Sequence, residues 1–264
     1  MSSASPATPL SMLQGRARDA RDPRAIAVLL RLLQGDERAG AVSLAALLTR
    51  RLAEHRSERL RVERLFALRR RLASAGALHV AGVDEVGVGP LAGPVVAAAV
   101  ILRMRVVLPG LDDSKRLSAP ARERLDVAIR AQAVAIGVGA VWPPELDRLN
   151  VYHAALEAMR RAVVALATAP DHVLVDARTI PGIAAPQTAL VHGDARDGSI
   201  AAASIVAKVH RDAIMARQER VHPGYGFARH MGYPTPEHLD ALRRLGPSPL
   251  HRRSFAPCNQ LPLS

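Results

Sequence analysis

Cysteine is almost missing from this chain: Cys258, near the C-terminus, is the single one in 264 residues. An internal disulfide and a cysteine-built metal site are therefore both excluded. Aromatic residues make up only 3% of the sequence, so aromatics gathered in one loop call for a reason. Lysine is scarcer still, for of 36 Lys and Arg residues only Lys115 and Lys208 are lysine. With so much alanine, that skew fits a GC-rich coding bias, and a lysine that persists marks a need for a compact ammonium. No stretch approaches the roughly 18 uninterrupted apolar residues of a membrane span. The start "MSSASPATPL" lacks the basic opening and apolar core of a secretory signal. These absences lead us to expect a cytoplasmic chain with no membrane partner, and a monomer, since no pairing motif is evident.

Positive charge is present in excess, with a formal net charge of +12, and it points to a polyanionic partner, nucleic acid ahead of an anionic membrane. Residues 1–80 carry 15 arginines against 7 acids, while the remainder carries 21 basic residues against 17 acids. The surplus is thus concentrated toward the N-terminus, as a solvated helix face or as an arm that grips nucleic acid. Residues 1–22 show no periodicity and read as a mobile leader. From Pro23, Ile26, Leu29, Leu30 and Leu33 recur at helical spacing as far as Gly35, and a second helical stretch covers about 43–73. The division expected is 1–75 for the leader and basic helical extension, 76–258 for the main domain and 259–264 for a tail.

After Gly76 short apolar runs alternate with helices, which predicts an α/β domain. Strands are expected at 79–84, 94–102, 133–141, 172–176 and 188–192. Ser118 is placed to cap a helix, "PPELDRLNVYHAALEAMRRAVVAL" reads as one long helix, and "SIAAASIVAKVHRDAIMARQER" as another whose alanines permit close packing. Four acids fall at strand ends or just beyond: Asp84 and Glu85 after the first strand, Asp176 after "HVLV", and Asp194 after "ALVHG". Strand ends on one edge of a sheet converge where α/β proteins place their sites. Adjacent strand residues face opposite sides, so Asp84 and Glu85 are expected to share a site only if the strand breaks there. Clustered carboxylates raise one another's pKa unless a cation neutralises them. An all-oxygen set suits Mg²⁺ or Mn²⁺, and two such ions about 4 Å apart would clamp the attacking water and leaving oxygen of a phosphodiester.

The series "GVDEVG", "GPLAGPVVAAAVIL", "DDSKRLS", "LNVYHAALEAM", "VHGD", "SIAAASIVAKVHRD", "HMGYPTPEHL" and "HRRSF" resembles the ribonuclease HII family from about Gly82 to Phe255. The resemblance implies an RNase H-like fold, a mixed five-stranded sheet flanked by helices, with a C-terminal helical part and, before it, an N-terminal helical extension. It implies an endoribonuclease that hydrolyses the RNA strand of RNA–DNA hybrids and nicks at single ribonucleotides embedded in duplex DNA. Two divalent ions would do this, leaving a 3′-hydroxyl and a 5′-phosphate. The family's metal-binding acids fall on Asp84, Glu85, Asp176 and Asp194. Its serine-lysine pair falls on Ser114 and Lys115, the lysine meeting a backbone phosphate, and its substrate-distorting tyrosine on Tyr233.

The family's Gly-Arg-Gly turn, whose main chain recognises the 2′-hydroxyl where RNA passes into DNA, falls on Gly87, Val88 and Gly89. Here Val88 replaces the arginine, so a cation is lost while the peptide groups remain. The competing reading is a non-catalytic hybrid-binding protein whose altered turn has cost it activity. Ala177 stands where the family usually has glycine after its third acid.

"GVGPLAG" lacks the spacing of a dinucleotide-binding turn and leads into a strand. His222, His230, His238 and His251 lack compact zinc-ligand spacing, although His230 and His251 are candidates to line a substrate groove. Trp142 and Tyr152 read as packing residues, and Lys208 as a packing support. Tyr225, Phe227 and Tyr233 stand together in a Gly-rich loop suited to stacking. In the tail, Gln260–Leu263 reads first as a disordered end, with as the alternative a resemblance to the Gln-Leu-x-Leu peptides that dock on the sliding clamp, without the usual final aromatic.

Overall fold

The structure is a computed structural model and describes residues 8–260. The chain divides into two compact units, Met1–Glu63 and Arg64–Ser264. In the first, α1 (Leu10–Asp19), α2 (Pro23–Leu32) and α3 (Ala39–Leu65) bury Leu13, Ala17, Ile26, Leu29, Leu33, Leu44 and Leu48 in one core. Asp22 caps α2 by accepting from the Arg24 N–H at 3.1 Å, and Pro23 starts it with a preset φ. Helix α1 lies inside the stretch expected to be an aperiodic leader. Leu13 and Ala17, one turn apart, supply a face wide enough to bury. Residues 1–7 and most of the Gln260–Leu263 segment fall outside the described residues.

The second unit opens with α4 (Ala67–Ser74), so the single helix expected over 43–73 is two. The break is at Phe66, whose ring lies so close to Gly198 that a β-carbon there would come within 2.4 Å of it. Five strands follow: β1 (Val80–Val86), β2 (Val95–Leu102), β3 (Ala133–Val141), β4 (His172–Asp176) and β5 (Gln187–Leu190). They lie close to where alternation and apolar runs predict them. The order is β3-β2-β1-β4-β5, antiparallel across β1–β2 and β2–β3 and parallel across β1–β4 and β4–β5. This is the mixed five-stranded sheet expected.

Helices cover both faces, which is why every residue of β2 is buried. On one face α7 (Val151–Val164) sets Ala155, Met159 and Ala162 against Val83, Ala97 and Ala99. On the other lies α9 (Gly198–Val221), so near β1 that a β-carbon on Gly82 would sit 2.0 Å from the Ser199 carbonyl carbon. Helix α5 (Ala119–Gln132) connects β2 to β3 after Ser118, which occupies the cap position without a side-chain capping bond. The long helix expected after Trp142 is interrupted into α6 (Pro143–Leu149) and α7 by Asn150. Its φ of +65° cannot continue a right-handed helix, and its side chain accepts from the His153 N–H at 3.1 Å to start the next one. Three further α-helices belong to the unit: α8 (Gly193–Arg196), α10 (Phe227–His230) and α11 (Pro236–Leu245). No helix among the described residues is long and apolar enough to cross a membrane.

Candidate active site

Strands β1 and β4 run parallel with Val83 opposite Val175, so Asp84 and Asp176, one residue further along each, emerge together at the same end of the sheet. The Asp176 carboxylate accepts from the Gly193 N–H at 2.7 Å, tethering α8 to the end of β4 and drawing in Asp194. Glu85 departs from expectation. The strand does not break between the acids: Asp84 pairs with Ala98 and Glu85 with Ala97 in unbroken register, and the ladder bonds hold the alternation of faces. Asp84 faces α9, where the Ser204 side chain opposes its upward pKa shift, and Glu85 faces Arg178. Their carboxylates still influence each other, because both lie at the strand end.

The four acids form one electrostatic group. Asp84 is 4% exposed; burial, then the charge of Glu85, hold its pKa well above the ordinary range, with Asp176 and Asp194 adding to the shift. Burial raises Glu85 against the opposing pull of Arg178. Burial and then Asp113 raise Asp194, and Lys115 opposes them. Oxygen Oε2 of Glu85 is buried without a hydrogen-bond partner. Desolvated, mutually repelling carboxylates with an unpaired oxygen are what a hard divalent cation would satisfy. Among the described residues no three His, Cys, Asp or Glu side chains form a ready-made ion cage. Mg²⁺ does not require one, since it keeps waters and completes its shell with one or two carboxylates and substrate phosphate.

Two cations stand at the edge of this group. Lys115 Nζ is 3.4 Å from Asp194 Oδ2, with its side chain 78% exposed. Arg178 NH1 is 3.4 Å from Glu85 Oε1, and its guanidinium lies 5.2 Å from the Tyr152 ring centre. Ser114 is placed differently from its neighbour: it is buried, with its hydroxyl 2.8 Å from that of Ser204. Ser114 thus bonds the serine that acts on Asp84. Ala177, just before Arg178, adopts φ +54°, a left-handed conformation that favours glycine.

The turn after β1 is held from beneath by two buried arginines. Arg252 donates to the carbonyls of Gly87, Val88 and Gly93; Arg211 donates to those of Ala92, Pro94 and Met231. Burial and then the neighbouring Arg211 push the Arg252 guanidinium down to about 9, so it stays charged at neutral pH, with carbonyl dipoles compensating. Gly87 has φ +87°, and a β-carbon there would lie 2.2 Å from Arg211 Nε, so the turn needs glycine on both counts. Tyr233 is 41% exposed, and a β-carbon on Gly89 would sit 3.9 Å from its ring. Tyrosine and turn are therefore neighbours.

The other aromatics of that loop are core: Tyr225 and Phe227 stack at 5.1 Å and are buried. His230 and His251 are buried as well, so they lie beneath the surface and do not line an open groove. Trp142 and Tyr152, read as packing residues, are substantially exposed. Lys208 forms an ion pair with Asp212 one turn further along α9 at 2.7 Å. The sequence reading overlooked Arg178, Ser204, Arg211 and Arg252. Ser204 alone carried a local signal, a hydroxyl in an otherwise alanine-rich helix face.

A family model described as Ribonuclease HII matches residues 81–258. The Ribonuclease HII of Myxococcus xanthus (strain DK1622) is 52% identical over 233 residues, covering 88% of this chain and 80% of that protein. Among solved structures, the RNase HII in the PCNA:RNase HII complex from Archaeoglobus fulgidus aligns with a TM-score of 0.58 at 25% identity, over 67% of this chain and 95% of that one. Bst-RNase HIII in complex with Mn²⁺ aligns with a TM-score of 0.52 at 23% identity, over 70% of this chain and 69% of that one.

Proposed function

The chain belongs to the ribonuclease HII family, and from that footing we propose that Asp84, Glu85, Asp176 and Asp194 are the catalytic centre of an endoribonuclease acting on RNA–DNA hybrids and on ribonucleotides embedded in duplex DNA. The observation that carries this reading is the convergence of these acids at the adjacent ends of β1 and β4 and in α8, tethered there by the Gly193 N–H to Asp176 bond, with Asp84 and Asp194 buried. They would hold two divalent ions, Mg²⁺ or Mn²⁺, which when bound supply an activated water and stabilise the leaving oxygen. The manganese complex of the related HIII enzyme supports a metal-dependent reaction of this kind.

The chain's own residues do the rest. Gly193, bonded to Asp176, fixes Asp194 against the end of β4. Lys115, exposed and only loosely paired to Asp194, is free to transfer to a backbone phosphate next to the scissile bond. Gly87 and Gly89 let the nucleic acid approach the main chain, which can tell RNA from DNA because a 2′-hydroxyl both donates and accepts. With Arg252 already donating to the Gly87 and Val88 carbonyls, the remaining lone pairs and N–H groups of the turn are what the sugar meets. Tyr233 stacks beside that sugar. A duplex with one ribonucleotide, incubated with Mn²⁺ or Mg²⁺, tests this: nicking to a 3′-hydroxyl and a 5′-phosphate is expected, whereas a mere binder only retards the duplex in a gel.

The Val88 side chain is partly buried against the core under α7 and offers no charge to a phosphate. Val88→Arg is expected to raise kcat/KM on the single-ribonucleotide duplex about tenfold, within the roughly 1–3 kcal/mol of a hydrogen bond to a charged group. Unchanged rate and cutting position would remove the idea. The PCNA complex of the Archaeoglobus protein supports the clamp-docking reading of Gln260–Leu263. Truncation after Pro257 is expected to eliminate binding to a sliding clamp, and retained binding in a pull-down would count against it.

A further inference from the structure

We propose that His251 and His238 form an uncharged, one-way hydrogen-bond relay that positions Tyr233 against the substrate. The inference rests on the role given above to Tyr233 and adds the residues that aim it. At one end, the Ser248 N–H donates to His251 Nδ1 at 2.9 Å, and the Ser248 hydroxyl lies 2.9 Å from the same nitrogen. A peptide N–H can only donate, so Nδ1 of His251 is bare and its proton is on Nε2. At the other end, His238 Nδ1 lies 2.8 Å from the Tyr233 carbonyl, which can only accept, so Nδ1 of His238 carries the proton and its Nε2 is bare. The two Nε2 atoms meet at 3.1 Å with one proton between them, donated by His251. Both tautomers are thus fixed by main-chain groups at the two ends, and an extra proton on either ring would set donor against donor.

The surroundings agree. His238 and His251 are 0% and 2% exposed. Burial, and then His238, hold His251 down to about 3, and burial lowers His238 as well, in the direction that the two tautomers require. His230 stacks on His238 at 4.4 Å and is fixed in its turn, accepting from the Gly232 N–H at 3.2 Å and donating from Nε2 to the Tyr225 carbonyl at 2.8 Å. The relay ends on the residue whose ring stands beside Gly89. Residue 232 just before it is tied to the other side of the same turn, for the Leu91 N–H donates to the Gly232 carbonyl at 2.8 Å. Apolar side chains could fill the same volume, but they would supply no donor to the Tyr233 carbonyl.

Two variants separate aiming from packing. An asparagine amide can place its N–H where imidazole Nδ1 stood, whereas a glutamine amide reaches only toward the Nε2 position. On the single-ribonucleotide duplex, His238→Gln is expected to lower kcat about tenfold with little change in KM, and His238→Asn to restore most of it. Added to Tyr233→Ala, His238→Gln should cause no further loss, because both act through one ring. Nitrogen-15 spectra at neutral pH should show two neutral rings, protonated at Nδ1 in His238 and at Nε2 in His251. If Tyr233→Ala alone leaves kcat unaltered, the tyrosine has no such role and the relay loses its purpose. If Tyr233→Ala is impaired but the Gln and Asn variants match each other, or either ring shows the opposite tautomer, the relay itself is overturned.

Discussion

Asp84→Asn is expected to abolish cleavage while making the metal-free protein more stable. The Asp84 carboxylate accepts from the Glu85 N–H at 2.8 Å, with the Ser204 side chain opposing its upward shift, and asparagine can accept from the same N–H with its oxygen. What it cannot reproduce is a negative charge for a cation, so a loss on the order of a thousandfold or more is expected. The stability gain follows from the sign of the pKa shift. Asp84, Glu85 and Asp194 are all raised above their ordinary values in the folded chain. Between the ordinary carboxylate range and those raised values the folded state binds more protons than the unfolded one, so stability falls as pH climbs through that window. Asparagine removes part of that fall. Adding Mg²⁺ should recover stability at neutral pH in the parent chain by binding the folded state alone, and recover less in the variant. Thermal melts in chelator and in Mg²⁺ across pH 4–9 check both signs; an Asn variant that melts lower than the parent throughout would make Asp84 a structural acid.

Arg252→Met is expected to cost about 4 kcal/mol of stability and to lose recognition of the ribonucleotide together with it. The side chain is 0% exposed and donates to Gly87, Val88 and Gly93; without it two buried carbonyls and one partly buried carbonyl lose this donor, at roughly 1–3 kcal/mol for each buried one before relaxation. Arg252→Lys should recover little, about 1 kcal/mol, because a compact ammonium cannot span three diverging oxygens as a planar fork does. Urea unfolding gives the stability, and cleavage measured well below the variant's transition gives the recognition. A Met variant within about 1 kcal/mol of the parent would mean that water or relaxation satisfies the turn.

The places of the acids and of the turn at the strand ends were legible in the sequence because their signals are local. A carboxylate after an apolar run and a glycine pair after a strand each declare themselves within a few residues. Five strands were legible for the same reason. Arg252 was not, since nothing near "HRRSF" says that one guanidinium reaches back to a turn more than 150 residues earlier. Nor was Arg178, whose position depends on the left-handed Ala177 before it. The side-by-side acids Asp84 and Glu85 invited a strand break that register with Ala97 and Ala98 forbids, and Asn150 hid a helix interruption that only its φ reveals. What sequence reading misses here is long-range acceptance of hydrogen bonds by main-chain carbonyls, which leaves no trace in residue type on the accepting side.

Helix α9 touches both halves of the proposed machinery: Ser204 acts on Asp84, and Arg211, two turns later, donates to Ala92 and Pro94. Seven residues of α-helix measure about 10 Å and cannot stretch. On the proposed roles of the acids and the turn, the helix is therefore a ruler laid between the place where the strand would be cut and the place where its sugar would be inspected. A residue inserted between Ser204 and Arg211 would swing one end by about 100° relative to the other, whereas the surface loops could absorb an insertion of that size. The offset between the proposed cutting and sugar-recognition sites is in this sense a length written into a rigid rod.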